Sequence, residues 1–474
     1  MPGKKKRQSG LPCEGAPALP VAKGDKVELA VEGLGHSGEG VARLQGFTVF
    51  VPFALPGERV TAAIEEVKKN YARARLKAIV EASPDRVDPL CPVFWRCGGC
   101  QLQHMAYHAQ LAAKRQRVID ALARIGGLSG VPVRETIGMA DPWHYRNKAQ
   151  LPVGMAGGRL AGGFFAPGTH DIVPIDACLI QRAENNAAVK AALAAAVEAE
   201  IPAYDEQTGK GVLRHILCRV GTASGEVMVL LVTATAELPE GRRIVRHLRE
   251  KIPNLASVQQ NINPARTNVI LGSRTRLLWG RETITERVCG LEFDVSAASF
   301  FQINTVQAEV LYGIVQEYAG LTGTETLADV YCGTGTIALC LAPRAKEVIG
   351  IEEAEAAVRD ARQNARRNGI ANASFLAGDA AEVLPRLVED GLRPDVVVLD
   401  PPRAGCARQV LDALAKVAPR RIVYVSCDPA SLARDLAILS AAGFSVREAQ
   451  PVDMFPQTSH VECVALIERK SLEI

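Results

Sequence analysis

At 474 residues the chain is too long for one hydrophobic core and calls for two to four domains. Its 48% hydrophobic content is ample for globular folding, and a net charge of only +3 leaves any nucleic-acid affinity to local patches. The basic cluster Lys4 to Arg7 is followed by Gly, Pro and Glu, which argues against a signal peptide, and the longest apolar candidate, VMVLLVTATA, is strand-sized rather than membrane-spanning. A cytoplasmic protein is expected, whose twelve cysteines are thiols or ligands rather than disulfides.

Residues 1–22 hold Gly, Pro and Lys without periodicity and read as a disordered basic tail. Across 23–85, VELAVEGLG, GFTVFVPF, ERVTAAIEEV and YARARLKAIVE are short strand-like runs broken by Gly and Pro, the pattern of a small OB-like barrel. Arg73, Arg75 and Lys77 alternate and so share one face of the last strand. With Lys68, Lys69 and Tyr71 they make a basic, partly aromatic surface that suits a nucleic-acid backbone as well as it suits water.

Residues 86–290 mix helices and strands, as expected of a central α+β domain. MAYHAQLAAKRQRVIDALARIGG and VKAALAAAVEAEI read as helices, and NKAQLPV, RHILCRV, EVMVLLVT and SVQQNIN as strands. CPVFWRCGGC supplies Cys91, Cys97 and Cys100 at C-x5-C-x2-C spacing, and Cys178 in DACLIQ is the candidate fourth ligand. Four thiolates suit zinc or an iron–sulfur cluster, and spacing alone makes zinc the plainer choice.

Residues 291–474 alternate strand and helix: TLADVYC, EVIGIE, ASFLAGD, DVVVLD and RIVYVSC are strands one to five, and VECVALIER closes the sheet. Such alternation predicts a doubly wound, mostly parallel sheet that binds its ligand at the carboxyl ends of the strands. Strand one ends in CGTGT, whose glycines permit close approach of a ligand. Strand two ends in Glu352, placed to accept ribose hydroxyls, strand three in Asp379 and strand four in Asp400. A row of acids and no complete GxGxxG fingerprint fit a nucleoside without phosphate, such as S-adenosylmethionine, better than a dinucleotide. Helix capping is the other use for Asp379 and Asp400.

Cys427 stands on the next strand end. Methylation at oxygen or nitrogen needs no thiol, whereas carbon C5 of a pyrimidine becomes nucleophilic only after something adds to C6. A base must then remove the C5 proton.

FFQIN (300–304), DVYCGTGT (329–336), DPPRAG (400–405), YVSCDPASLARD (424–435) and DMFPQTSHVE (453–462) together resemble the RNA uracil-C5 methyltransferases. The resemblance implies a Rossmann-like methyltransferase domain with Cys427 as nucleophile and Glu462 as base. It implies that Gln302, Tyr331, Thr336, Glu352, Asp379 and Asp400 line the S-adenosylmethionine site, with Phe300 or Phe301 either stacking on an extruded uracil or lying in the core. Asp428 stands where the family commonly has asparagine, and a carboxylate there is expected to raise the thiol's pKa. EGLGHSGEGVARLQGFTVFVPFALPGERV resembles the RNA-binding TRAM domain. The branch of the family acting on 23S ribosomal RNA carries a [4Fe–4S] cluster on a four-cysteine arrangement like Cys91, Cys97, Cys100 and Cys178, while the tRNA-acting branch lacks barrel and cluster, so the resemblance points to 23S rRNA. WHYRNKAQ also resembles the family, with Arg146 and Lys148 as phosphate contacts or core ion pairs. A monomeric 23S rRNA uracil-C5 methyltransferase is expected; a tRNA enzyme, a cytosine-C5 enzyme and a non-catalytic RNA-binding or assembly factor are the alternatives.

Overall fold

The computed structural model describes residues 19–470, in two compact units that part between Arg86 and Val87. In the first, β1 (Lys26–Leu34), β2 (Gly40–Leu44), β3 (Phe47–Val51), β4 (Arg59–Val67) and β5 (Tyr71–Glu81) close into a barrel in the order β1-β2-β3-β5-β4. Period-two alternation turns Leu29, Val31, Val49, Val60, Ile64 and Ala72 inward and leaves Arg73, Arg75 and Lys77 exposed on β5. That row is partly neutralised: Arg75 pairs with Glu65 at 2.8 Å, Lys68 pairs with Glu66 at 2.6 Å, and the Arg73 guanidinium lies over the Tyr71 ring.

The second unit runs α1 (Tyr107–Arg124), β6 (Lys148–Ala156), β7 (Arg159–Phe165), β8 (Ile172–Pro174), α2 (Ala183–Glu198), β9 (Leu213–Val220), β10 (Val227–Thr233), α3 (Gly241–Lys251), β11 (Leu255–Ile262) and β12 (Arg274–Gly280). A hairpin, β13 (Thr283–Val288) and β14 (Leu291–Ser296), and α4 (Thr305–Ala319) follow. The rest is β15 (Thr326–Val330), α5 (Thr336–Leu341), β16 (Glu347–Glu352), α6 (Glu355–Arg367), β17 (Ala373–Ala377), α7 (Ala380–Glu389), β18 (Val396–Leu399), α8 (Arg408–Val417), β19 (Arg421–Ser426), α9 (Pro429–Ala441), β20 (Phe444–Val452) and β21 (Glu462–Arg469).

Strands β12-β11-β10-β9-β6-β7-β8 form one seven-stranded sheet, with β9 and β10 buried along their whole length. The second sheet has the order β17-β16-β15-β18-β19-β21-β20, parallel except that β21 runs against both β19 and β20. Side chains of α4, α5 and α6 cover one face of this second sheet and those of α7, α8 and α9 the other. α1 belongs with the latter group: Val118, Ala121 and Leu122 share a core with Leu432, Ala433 and Leu436. Leu217, Met228 and Leu230 of the first sheet share a core with α4 and the hairpin, so the sheets lie in one packed unit. The 290/291 boundary read from sequence falls at the turn of the β13–β14 hairpin.

Several elements escaped sequence reading, α4, α9 and β20 among them. α4 is announced by Asn304, whose side chain accepts the Gln307 amide N–H. α9 starts at Pro429, capped by Asp428. β20, FSVREAQPV, lacks a clean alternation because its central half is polar and partly exposed.

Candidate functional site

β15 and β18 are neighbours, but the chain proceeds outward from them in opposite directions, so a crevice opens at their carboxyl ends. β15 stops at Val330, two residues short of the TLADVYC run, because Tyr331 turns to φ 70°. Gly333 and Gly335 follow at φ 55° and 77°. A Cβ on Gly335 would meet the Phe375 ring at 2.9 Å, so that glycine is a packing requirement, whereas the space beside Gly333 is open. Glu352 fastens the turn, accepting the Gly333 N–H at 3.0 Å through one carboxylate oxygen and the Ala354 N–H at 2.9 Å through the other. Thr336 is the first residue of α5. Asp379 caps α7 by accepting the Ala381 N–H at 2.8 Å, so capping does occupy one of its oxygens. The Tyr331 hydroxyl accepts from the Ala407 N–H at 3.4 Å, which turns the ring toward the loop after β18. Gln302 lies half-buried, its main-chain oxygen accepting from the Asn147 side chain at 2.9 Å.

The strand pairing brings Cys427 and Glu462 together. Ser426 pairs with Cys463 across the antiparallel β19–β21 ladder, so the next step of the register sets Cys427 opposite Glu462, and facing positions project to the same side. Glu462 is buried and Cys427 half-buried. Burial first, then the Glu462 and Asp400 carboxylates, pushes the Cys427 thiol up to about 11, with Arg403 opposing. Burial and Asp400 push Glu462 up to about 8, again against Arg403. Asp400 is raised by burial to about 7. Asp329 completes the cluster; sequence reading passed it over as part of strand one, although it is the single acid in TLADV. Burial and then Asp400 raise it to about 8.

Asp428 does not act as expected. Its carboxylate accepts the Ala430 and Ser431 N–H groups at 2.9 and 3.0 Å, capping α9, and the acids that raise the thiol are Glu462 and Asp400.

The two phenylalanines separate. Phe301 is 7% exposed and packs on Phe293, which makes it a core aromatic, whereas Phe300 is 71% exposed. Arg146 and Lys148 form no ion pair among the described residues; Lys148 lies opposite Arg219 in the β6–β9 ladder, and burial, Arg219 and Arg146 together lower it to about 8. The 453–461 loop, which delivers Glu462, is tied down from several sides. Lys114 and Asp453 form a buried ion pair at 2.5 Å, the Asn304 side chain donates to the Met454 oxygen, and Gln307 donates to the Asp453 oxygen.

Cys91, Cys97, Cys100 and Cys178 line one cavity of about 150 Å³ together with Phe94, Phe164 and Arg146. Burial raises Cys100 to about 12 and Cys178 to about 11, and Cys178, Cys97 and Cys91 each contribute to the rise at Cys100. Among the described residues no three His, Cys, Asp or Glu side chains gather tightly around a single ion position. The expectation of an iron–sulfur site is thus met only as far as four thiols around a shared space.

The sheet order with its reversed β21, the glycine turn and the acids along the strand ends define an S-adenosylmethionine-dependent methyltransferase fold. The tRNA (Uracil-5-)-methyltransferase family model matches residues 106–470 and the TRAM domain model residues 20–77; the chain belongs to that methyltransferase family and carries an N-terminal TRAM barrel. It is 49% identical over 452 residues to an uncharacterized RNA methyltransferase of Halalkalibacterium halodurans, covering 95% of this chain and 99% of that one. An uncharacterized RNA methyltransferase of Clostridium acetobutylicum is 46% identical over 453 residues, covering 95% and 98%. The crystal structure of Pyrococcus abyssi tRNA (uracil-54, C5)-methyltransferase in complex with S-adenosyl-L-homocysteine superposes with a TM-score of 0.75 at 31% identity, over 93% of this chain and all of that one. Coverage that high takes in the barrel, so the expectation that a tRNA enzyme would lack it does not hold, and architecture alone does not separate tRNA from ribosomal RNA. No helix among the described residues is long and apolar enough to cross a membrane.

Proposed function

We propose that this chain transfers a methyl group to C5 of a uracil in RNA by covalent catalysis at Cys427. The supporting observation is the cross-strand placement of a half-buried thiol and a buried carboxyl at the mouth of the crevice. Gln302, Tyr331, Thr336, Glu352, Asp379 and Asp400 hold S-adenosylmethionine there, and the cofactor supplies an electrophilic methyl on a sulfonium. The target uracil is extruded from its RNA, since C6 is out of reach in a stack. Phe300, exposed in the segment before Gln302, is the residue we assign to stack on it. Cys427 Sγ bonds to C6, and the electron pair of the C5–C6 double bond moves to C5, which takes the methyl. Glu462 then accepts the C5 proton, the double bond re-forms, and the C6–S bond breaks to return the thiolate.

The substrate we propose is 23S ribosomal RNA. The reading is supported by the resemblance of the four-cysteine arrangement to that of the 23S-acting branch, and by the shared cavity that these cysteines line. Cys91, Cys97, Cys100 and Cys178 would hold a [4Fe–4S] cluster as a brace for the 87–182 segment. The tRNA reading stays as the second, favoured by the Pyrococcus neighbour. RNA containing 5-fluorouracil tests the chemistry, because fluorine at C5 blocks the final elimination: wild type with cofactor should form a covalent adduct, Cys427→Ser none, and Glu462→Gln should accumulate adduct even on uracil RNA. Methyl incorporation into 23S rRNA and tRNA transcripts, side by side, decides the substrate.

A further inference from the structure

We propose that the face built from α3 and the edge strand β12 binds a single-stranded stretch of the substrate RNA, with phosphates on its arginines and an unpaired base on an apolar floor between them. The inference rests on the RNA-methylating function above and adds a contact outside the residues that carry the chemistry.

α3 reads GRRIVRHLREK: Ile244 and Leu248 anchor it on the sheet, while Arg242, Arg243, Arg246, Arg249 and Lys251 are exposed against one acid, Glu250. β12 ends its sheet, has no strand on its outer side among the described residues, and adds exposed Arg274 and Arg276. None of these seven cations forms an ion pair among the described residues. On the barrel's candidate RNA face, by contrast, two of the five cations, Arg75 and Lys68, are held by Glu65 and Glu66. Seven unneutralised charges on one face repel one another and gather small anions from solution. A polyanion that displaces those anions gains the entropy of their release.

The face also has shape. A groove of about 330 Å³ runs between α3 and β12, floored by Leu238, Val245 and Leu278 and walled by Arg242 and Arg276, with Gly241 offering no side chain to obstruct it. The Arg276 guanidinium is held by donating to the Gln260 side-chain oxygen at 2.6 Å, and the Arg249 guanidinium lies 4.9 Å from the Trp279 ring centroid. An apolar floor between the Arg242 and Arg276 guanidiniums, the second of them held in place, matches a nucleotide, with its flat base and its anionic backbone. An acidic protein surface would satisfy the charges but leave the floor uncovered.

The test uses the full-length chain and a 23S rRNA fragment that carries single-stranded flanks around the target loop. For Arg242→Gln/Arg276→Gln, the dissociation constant should rise about tenfold at low salt. The slope of log affinity against log salt should become shallower by ~1.4, because each single-strand phosphate left without its arginine takes ~0.7 from the slope. Affinity for S-adenosylmethionine and the melting temperature should hold. If the melting temperature moves, Arg243→Gln/Arg246→Gln, which leaves the groove lining intact, should flatten the slope in the same way. Wild-type affinity and slope in both variants would overturn the proposal and leave the face to a protein partner. The wild-type adduct on 5-fluorouracil RNA reports separately on the function: adduct with an unchanged slope sinks only this surface, and a flattened slope without adduct sinks only the chemistry.

Discussion

Burial penalises the charged forms of three carboxyls at the crevice and raises Asp400 to about 7 and Asp329 and Glu462 to about 8, so at neutral pH the first is about half protonated and the other two mostly so. A sulfonium beside them favours the anions, so binding the charged cofactor should expel protons. The sign follows: below these pKa values the carboxyls are neutral and repay little, and affinity climbs as pH rises through them. From about pH 6 to about pH 9, discharge of Asp400 alone is worth ~10-fold, and discharge of Glu462 or Asp329 as well adds ~100-fold. S-adenosylhomocysteine shares every other group but is a neutral thioether, so the ratio of the two affinities isolates the sulfonium. Titration calorimetry across that range, in buffers of differing ionisation enthalpy, should show the ratio rising at least tenfold, with proton release on binding the methylated form. Asp400→Asn should remove the first tenfold. A ratio that stays flat with pH, with no buffer dependence, would refute the electrostatic reasoning.

Phe301→Ala empties a core position and should cost ~3–5 kcal/mol of stability, while Phe300→Ala should leave the melting temperature alone and raise KM for RNA; denaturant titration and steady-state kinetics separate the two. Lys114→Met strands the buried Asp453 charge and should cost ~3–5 kcal/mol, with partial rescue by Asp453→Asn in the same chain. Alkylation of Cys427 should be slow at neutral pH and accelerate toward about 11. Asp428→Asn should not move that profile, because the carboxylate faces the α9 amides, and Asp428→Ala should cost ~1 kcal/mol through the missing cap.

Much of the α/β half was legible because β15, β16, β18 and β19 are short apolar runs and a helix such as α6 has its own stop in Gly369. The strand-end acids were legible for the same reason, being the first polar residues after such runs. What escaped is what pairing decides. Nothing in VECVALIER says that it runs against β19, yet that reversal is what sets Glu462 across from Cys427. Asp329 was hidden because a lone acid inside an apolar run looks like a strand residue until the neighbouring strand brings Asp400 beside it. Asp428 misled because sequence adjacency to Cys427 is not proximity: the chain turns, and the carboxylate serves the helix that the turn begins.

These acids also give the proposed reaction its order. While the sulfonium is present, the nearby cation holds Glu462 toward its anionic form, ready to receive a proton. Methyl transfer turns the sulfonium into a neutral thioether, and the carboxyl's preference for a proton returns to its buried value, about 8. Glu462 therefore becomes the stronger base at the moment when the C5 proton has to leave, without any movement of the chain. The same change disfavours a thiolate at Cys427, whose own pKa these acids raise. The closing elimination thus depends on Glu462 taking up the C5 proton, since a neutral carboxyl no longer repels the sulfur anion that departs from C6. Glu462→Gln keeps the shape and the neutral charge of the protonated carboxyl but takes up no proton, so it should complete methyl transfer and stall as the C5-methylated adduct. Adduct lacking the methyl group in that variant would place Glu462 before the transfer instead of after it.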